Sequence, residues 1–410
     1  VSESVPSADG RRVPDWLPAA CVLAAIAFTT LVRLRLAATP LERDEGEYAY
    51  SGALLLDGTP PYRAAWNMKF PGTYYAYAAI LAVFGRSAWA VHAGLAVVNA
   101  GATWLVFRAG SRLLGAFAGV VAAAAFGLMT LDRWILGVWG HATHFVALAV
   151  VAGFVALLRA CESRRAAALV GAGALFGVAV VMKQHAVFFV PFAAAVASQG
   201  GRRGRDALLV CAGAAIPLAV VVALAAAQGT LDRFWWWTIQ YASAYVSDTP
   251  ASHAAGNFAA GFGTVLRATG LLWIAAGFGF VALFTERRHA PHRWLVGGLA
   301  LASAFAVCPG FYFRSHYFLV LAPAAALGVG LTALWIEART SRVVAACVVA
   351  ALAAQYAVAE RDYLFAMTPT EVSRARFGLN PFVEAPEIGR RIRETTGADA
   401  RVAVFGSEPE

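Results

Sequence analysis

Charge is what this sequence lacks most: Asp, Glu, Lys and Arg make up 14% of its 410 residues, whereas 60% are apolar. Ordinary soluble domains carry roughly 25% charged residues, so a water-facing surface over the whole chain is excluded and repeated membrane crossing is the expected state. Cysteine is also scarce. The five present (Cys21, Cys161, Cys211, Cys308 and Cys347) stand singly in or beside apolar stretches, which excludes a disulfide framework or a CxxC metal site. No internal repeat, low-complexity tract or nucleotide-binding glycine loop is present. The net charge of +9 comes from arginines in short clusters between apolar runs, without a basic stripe interleaved with aromatics, so nucleic acid is excluded as a partner.

What the sequence does have is a series of long apolar runs. A spanning helix needs about 20 apolar residues. Such runs lie at 17–37, 87–107, 114–131, 142–158, 166–182, 185–199, 207–227, 259–284, 294–309, 317–336 and 341–358, predicting eleven spans. The first is too long for a signal-peptide core and is read as an uncleaved span. The apolar segment 73–85 is too short to cross, and its tyrosines predict an interfacial helix.

Charge distribution supports this choice. With the amino terminus inside, the inner segments hold fifteen basic and seven acidic residues, and the outer loops nine and eight. Arg33 and Arg35, at the outer end of the first span, break the pattern. The reading is an all-α polytopic membrane protein in three parts: a cytoplasmic tail 1–16, a transmembrane domain 17–359 and an outer soluble segment 360–410. Two outer loops are long, 38–86 and 228–258, the latter with the aromatic knot Phe234 to Trp237. The polar end predicts a helix through IGRRIRETTG and a strand through RVAVFG, the beginning of an α/β unit that stops short.

Ionisable residues gather on the outer side. Arg43-Asp44-Glu45-Gly46-Glu47 places four charges within five residues just past the first span. Asp44 with Glu47 fits a helix-capping box, which leaves Glu45 unexplained. Lys69, in NMKFPG, fits a snorkelling anchor or a point charge for a phosphate. Asp132, His141, His144, Lys183, Arg314 and His316 lie at the outer ends of other spans, where each alone reads as a helix-end anchor and together as the lining of a cavity. His141 and His144, three residues apart, could bind a divalent metal with Asp44 or Glu45.

The block RDEGEYAYSGALLLDGTPPYRAAWNMKFPGTYYAYAAILAVFG, with VVMKQHAVFF, FRSHYFLVLAP and VAVFGSEPE further on, resembles GT-C glycosyltransferases of the family-39 type. These are the bacterial protein O-mannosyltransferases and aminoarabinose-lipid A transferases. The resemblance implies a GT-C fold with juxtamembrane helices in the first outer loop. It also implies transfer of a sugar from a polyprenyl-phosphate carrier to a lipid, glycan or protein acceptor, on the outer face of the cytoplasmic membrane. Asp44 would be the catalytic carboxylate, with Glu45 beside it. Lys69, Arg314 and Lys183 would bind the donor phosphate, and His141, His144, His316 and Asp132 would contact substrate or a metal. The lysine is followed by Phe70-Pro71 where relatives have two prolines, and His144 stands where many have glutamate. Relatives continue into an outer soluble domain, so a fragment is expected. A lipid-linked-sugar flippase, or a non-catalytic lipid-binding assembly protein, is the alternative. A flippase would carry repeat symmetry and ionisable residues near the midplane.

Overall fold

The computed structural model describes residues 14–199 and 203–397, and every regular element among them is helical. Among the described residues seven helices are long and apolar enough to cross a membrane, and the chain is a multi-pass membrane protein. The first, α1 (Leu17–Arg35), leads into the amphipathic α2 (Arg43–Leu56) and the short apolar α3 (Gly72–Phe84). The spanning-type α4 (Ala88–Leu114) and the shorter apolar α5 (Ala116–Leu131) then pair, joined by Gly115 alone, whose φ of 93° is open to glycine at no steric cost. Next come α6 (Ala142–Ser163), α7 (Ala166–Met182), α8 (Phe189–Ala197) and α9 (Arg203–Ala227). A Cβ on Gly173 would meet the Val210 carbonyl at 2.1 Å, and one on Gly213 the Val170 carbonyl at 2.1 Å, so two glycines let α7 and α9 pack backbone to backbone.

The second half holds the short α10 (Leu231–Trp235) and α11 (Ala242–Val246), separated by a π-helical turn. The long α12 (Ala254–Thr285) follows, then α13 (Gly298–Val307), α14 (Ala322–Glu337), α15 (Arg342–Ala359), α16 (Pro369–Phe377) and α17 (Ala385–Thr395). Helices α4, α5, α6, α7 and α14 form the centre, around a core that includes Phe126, Phe154, Phe176 and Leu327. By contrast α1, α9 and α15 expose most of their apolar length, as lipid-facing helices do.

Several sequence expectations are refined. The predicted span 185–199 is a 3-10 turn, Gln184–Phe188, running into the nine-residue α8, and 294–309 is a π-turn followed by the ten-residue α13. Broken backbone of this kind survives at membrane depth when it is buried in protein. A short helix stands where one is expected at 73–85, as α3, and the helix expected near 388–397 is α17. The expected strand at 401–406 lies outside the described residues.

Arg33 and Arg35 find their reason. Buried Arg33 donates to the Thr130 carbonyl at 2.8 Å and the Gly137 carbonyl at 3.3 Å. Arg35 donates to the Met367 carbonyl at 2.6 Å and to that of Tyr363. Both arginines staple helix ends and loops at one end of the bundle, where carbonyls in last turns and connections need donors. The same end is closed by Arg133, 2.7 Å from Glu360, and by Phe377 edge-on to Trp139 with ring centres 5.0 Å apart. The chain after α15 thus folds back onto the bundle.

Candidate active site

The site is built on α2. Its cap is Glu42, two positions before the expected Asp44: Glu42 accepts from the Glu45 amide at 2.9 Å, relieving a helix-end donor. Asp44, Glu47 and Tyr48 follow at i, i+3 and i+4 and share a face, which meets Lys69. The ammonium lies 3.5 Å from Asp44, 3.2 Å from Glu47 and 4.6 Å from the centre of the Tyr48 ring. Glu47 also accepts from Asn67 at 2.7 Å and from the Tyr74 hydroxyl at 2.9 Å. The Lys69 backbone is fixed in turn, its carbonyl accepting from the Tyr62 hydroxyl at 2.7 Å while Gln184 donates to the carbonyl of Met68 at 2.5 Å.

Other elements complete the cluster. His141, at the start of α6, lies with Nδ1 3.5 Å from Asp44 and Nε2 3.4 Å from Glu42. His316 stacks on it with ring centres 4.1 Å apart. Lys183, just past the end of α7, lies 3.9 Å from the centre of the Tyr317 ring. Asp44, His141 and His316 bring one ligand atom each within 4.8 Å of one another.

Two cavities of about 530 Å³ each meet at this cluster, sharing Arg43, Asp44, Tyr312, Arg314 and His316. One is mainly apolar: Phe70, Val180, Leu218, Ile239 and Val246 line it, and Lys69 and Lys183 stand at the shared end. The aromatic knot packs behind this wall, with Phe234 stacked on the lining residue Phe70 and Trp237 on Trp66. The other is more polar, and takes Trp134 from the turn after α5, Arg267 from α12, Arg376 from α16 and Asn380 from just beyond it.

Electrostatics separate the acids. Burial opposes charge on Asp44, but Lys69, His141 and His316 outweigh it and hold the carboxyl well below its usual range. Burial likewise disfavours the Lys69 ammonium, and Asp44 with Glu47 overcomes it, so the ammonium is held charged. Glu42 goes the other way, pushed up to about 7 by burial and by its neighbours Asp44 and Glu45, with His141 opposing. Lys183 is lowered to about 7 by burial and by Lys69 and Arg314.

Of the residues expected from sequence, Asp44, Lys69, Lys183, Arg314, His141 and His316 converge on the two cavities. Three others do not. Glu45 is fully buried on the face of α2 turned to the bundle, 3.1 Å from His92 and accepting from the Gly140 amide, so it anchors the helix instead of standing beside Asp44 in the cavities. His144 points into the bundle and pairs with Asn99 at 3.1 Å, so the expected His141/His144 metal pair does not form and His316 takes its place. Asp132 caps the Trp134 amide at 2.9 Å and accepts from Thr269 at 3.2 Å, away from both cavities. Sequence reasoning gives no role to Glu42, Tyr312, Arg267 or Arg376, and names Arg43 only as part of the charged run. Closeness in sequence to Asp44 is a signal for Glu42 and Arg43, while Arg376 sits in a polar segment with none.

Helices broken at one end, a charged first-loop helix and paired cavities meeting at its carboxylate characterise this fold, which is of the GT-C kind. Residues 68–226 match the family model of dolichyl-phosphate-mannose-protein mannosyltransferases, a stretch that includes Lys69. In fold the chain is similar to ArnT from Cupriavidus metallidurans bound to undecaprenyl phosphate, with a TM-score of 0.59, 15% identity and coverage of 92% of this chain and 80% of that one. It is also similar to ArnT in the apo state, with a TM-score of 0.58. The oligosaccharyltransferase of Archaeoglobus fulgidus, in complex with Zn and sulfate, gives a TM-score of 0.53 at 17% identity, over 86% of this chain and 54% of that one. No curated protein matches the chain. The resemblance to GT-C glycosyltransferases carried by the first outer loop is thus met by a family model and by solved folds.

Proposed function

We propose that the protein transfers a sugar from a polyprenyl-phosphate donor to an acceptor on the outer side of the cytoplasmic membrane, with eleven crossings in all. The observation that carries this reading is the position of Asp44, at the seam between an apolar cavity with two lysines and a polar one. The lipid chain would lie along the apolar walls, its phosphate against Lys183 and Lys69, and the acceptor would enter from the polar side. The bond between the anomeric carbon and the phosphate oxygen breaks as the acceptor oxygen attacks, and negative charge grows on the phosphate, where Lys183, Lys69 and Arg314 stand. Asp44, kept ionised by its surroundings, aims the acceptor hydroxyl and takes its proton as the new bond forms, while the carrier phosphate departs as the free anion.

Asp44, His141 and His316 also fit a divalent cation, since a carboxylate and two imidazoles suit zinc or a similar metal. Such an ion would lower the proton affinity of the acceptor hydroxyl. We expect the protein purified without chelator to hold about one equivalent of metal by elemental analysis, and His141→Ala with His316→Ala to release it. Metal content unchanged in that double variant removes the metal from this reading.

The test of transfer uses purified protein with radiolabelled polyprenyl-phosphate sugars and membrane extract. Asp44→Asn should lower the rate by about 10²–10⁴-fold and leave donor binding intact. A flippase would keep its transport in that variant. Full label transfer by Asp44→Asn sinks the assignment of Asp44.

A further inference from the structure

Glu47 lines neither cavity, yet three donors converge on its carboxylate: Asn67 at 2.7 Å, the Tyr74 hydroxyl at 2.9 Å and the Lys69 ammonium at 3.2 Å. Burial and the nearby Asp44 push its carboxyl up, while Lys69 and the Tyr74 hydroxyl oppose that rise, so the ammonium is a main support of its charge. The dependence runs both ways. A lysine ammonium has three donors and no acceptor. That of Lys69 meets Asp44 and Glu47 and lies over the Tyr48 ring, 4.6 Å from its centre. One cation therefore faces two carboxylates, and an arriving phosphate gains Lys69 only by drawing it from one of them. The charge of the carrier makes this matter most after transfer. A sugar joined through phosphate to a polyprenol is a phosphodiester with a single negative charge, whereas the spent carrier is a monoester carrying about −1.5 to −2 at pH 7. A pocket of free lysines would hold the product more tightly than the donor, and a carboxylate behind one of those lysines offsets the difference.

We propose that Glu47 is a positioning residue that holds Lys69 back from the carrier phosphate, and so sets how readily the spent carrier leaves. It acts through Lys69 and touches no substrate. The inference rests on the transferase reading for the identity of that phosphate, and on the geometry around Lys69 for the rest. Glu47 suits the role because it is not stranded when the ammonium turns away: Asn67 and Tyr74 still donate to it.

The full chain in phosphatidylcholine nanodiscs is titrated with undecaprenyl phosphate, with thermal midpoints read alongside. Glu47→Gln should bind this carrier about tenfold tighter than the wild type does, since the ammonium regains a donor and a hydrogen bond to a charged group is worth at least that factor. The new amide has a partner at hand: Asn67 Oδ1 is buried without one, and a flip of the Asn67 amide turns it toward the glutamine. In a Lys69→Met background the same change should alter affinity by less than about twofold, because the effect passes through Lys69. Equal tightening in both backgrounds is direct repulsion by Glu47 and overturns the proposal. So does a Glu47→Gln affinity that is unchanged or weaker, which is what a merely structural carboxylate gives, together with a lower thermal midpoint. Glu47→Asp keeps the charge and withdraws it by one methylene; it should also bind the carrier more tightly, and it decides the matter if Glu47→Gln does not fold. Failure of the wild type and all variants to bind undecaprenyl phosphate ends the transferase reading and this proposal with it, whereas binding that is blind to Glu47 ends the proposal alone.

Discussion

At the residue scale, adjacent positions on α2 do opposite work. Asp44 and Glu45 are about 100° apart around a helix, so one faces the cavities and the other the bundle. Both are acids with the same neighbours in sequence, and nothing local distinguishes them. What does is the partner across the gap: Lys69 on one side, His92 and the Gly140 amide on the other. Lys183 sets a pH expectation at this scale. Its proton affinity is lowered to about 7, so it is cationic below that pH and neutral above, and its pull on a phosphate fades as pH rises. Measured between about pH 6 and pH 9, undecaprenyl phosphate affinity should fall more steeply in the wild type than in Lys183→Arg, whose side chain stays charged throughout. Identical slopes would mean that Lys183 does not meet the phosphate.

Among the elements, α2 matters most because it lies outside the crossings and is held by side chains. Glu45 ties it to α4 through His92 and to the start of α6 through Gly140, and Tyr77 of α3 donates to the Gly140 carbonyl at 2.6 Å. Glu45→Ala should leave buried donors unpaired at a cost of about 1–3 kcal/mol, seen as a lower thermal midpoint in detergent. Asp44→Asn should show no comparable loss. A Glu45→Ala protein of wild-type stability that fails in transfer would return Glu45 to the chemistry. Broken elements serve the site in a different way: the turn Ser315–Leu321 ahead of α14 presents His316, and the junction after α7 presents Lys183.

Over the whole molecule, the residues that line the cavities come from both long loops, from the ends of distant helices and from the segment beyond α15. That segment is positioned by Arg35, Arg133 and Trp139, and through them it brings Arg376 and Phe377 into the polar cavity. Sidedness is a property of this scale. A cysteine replacing Asp57, exposed in the first long loop, should react with a membrane-impermeant maleimide in intact cells. One replacing Arg339, at the opposite end by the proposed topology, should react only after permeabilisation. The opposite labelling would put the site in the cytosol and end the transferase assignment.

Composition and periodicity alone determined that the chain crosses a membrane repeatedly, that a short apolar helix lies within the first long loop, and that ionisable residues crowd one end of the bundle. These follow from transfer free energy and length, which act position by position along the chain. The tertiary structure decided which acid faces the cavity, that His316 and not His144 joins His141, why Arg33 and Arg35 sit where they do, and that α16 supplies an arginine to the site. Those outcomes depend on helix rotation and on contacts between residues a hundred or more positions apart, and such contacts leave no periodic mark in a single sequence.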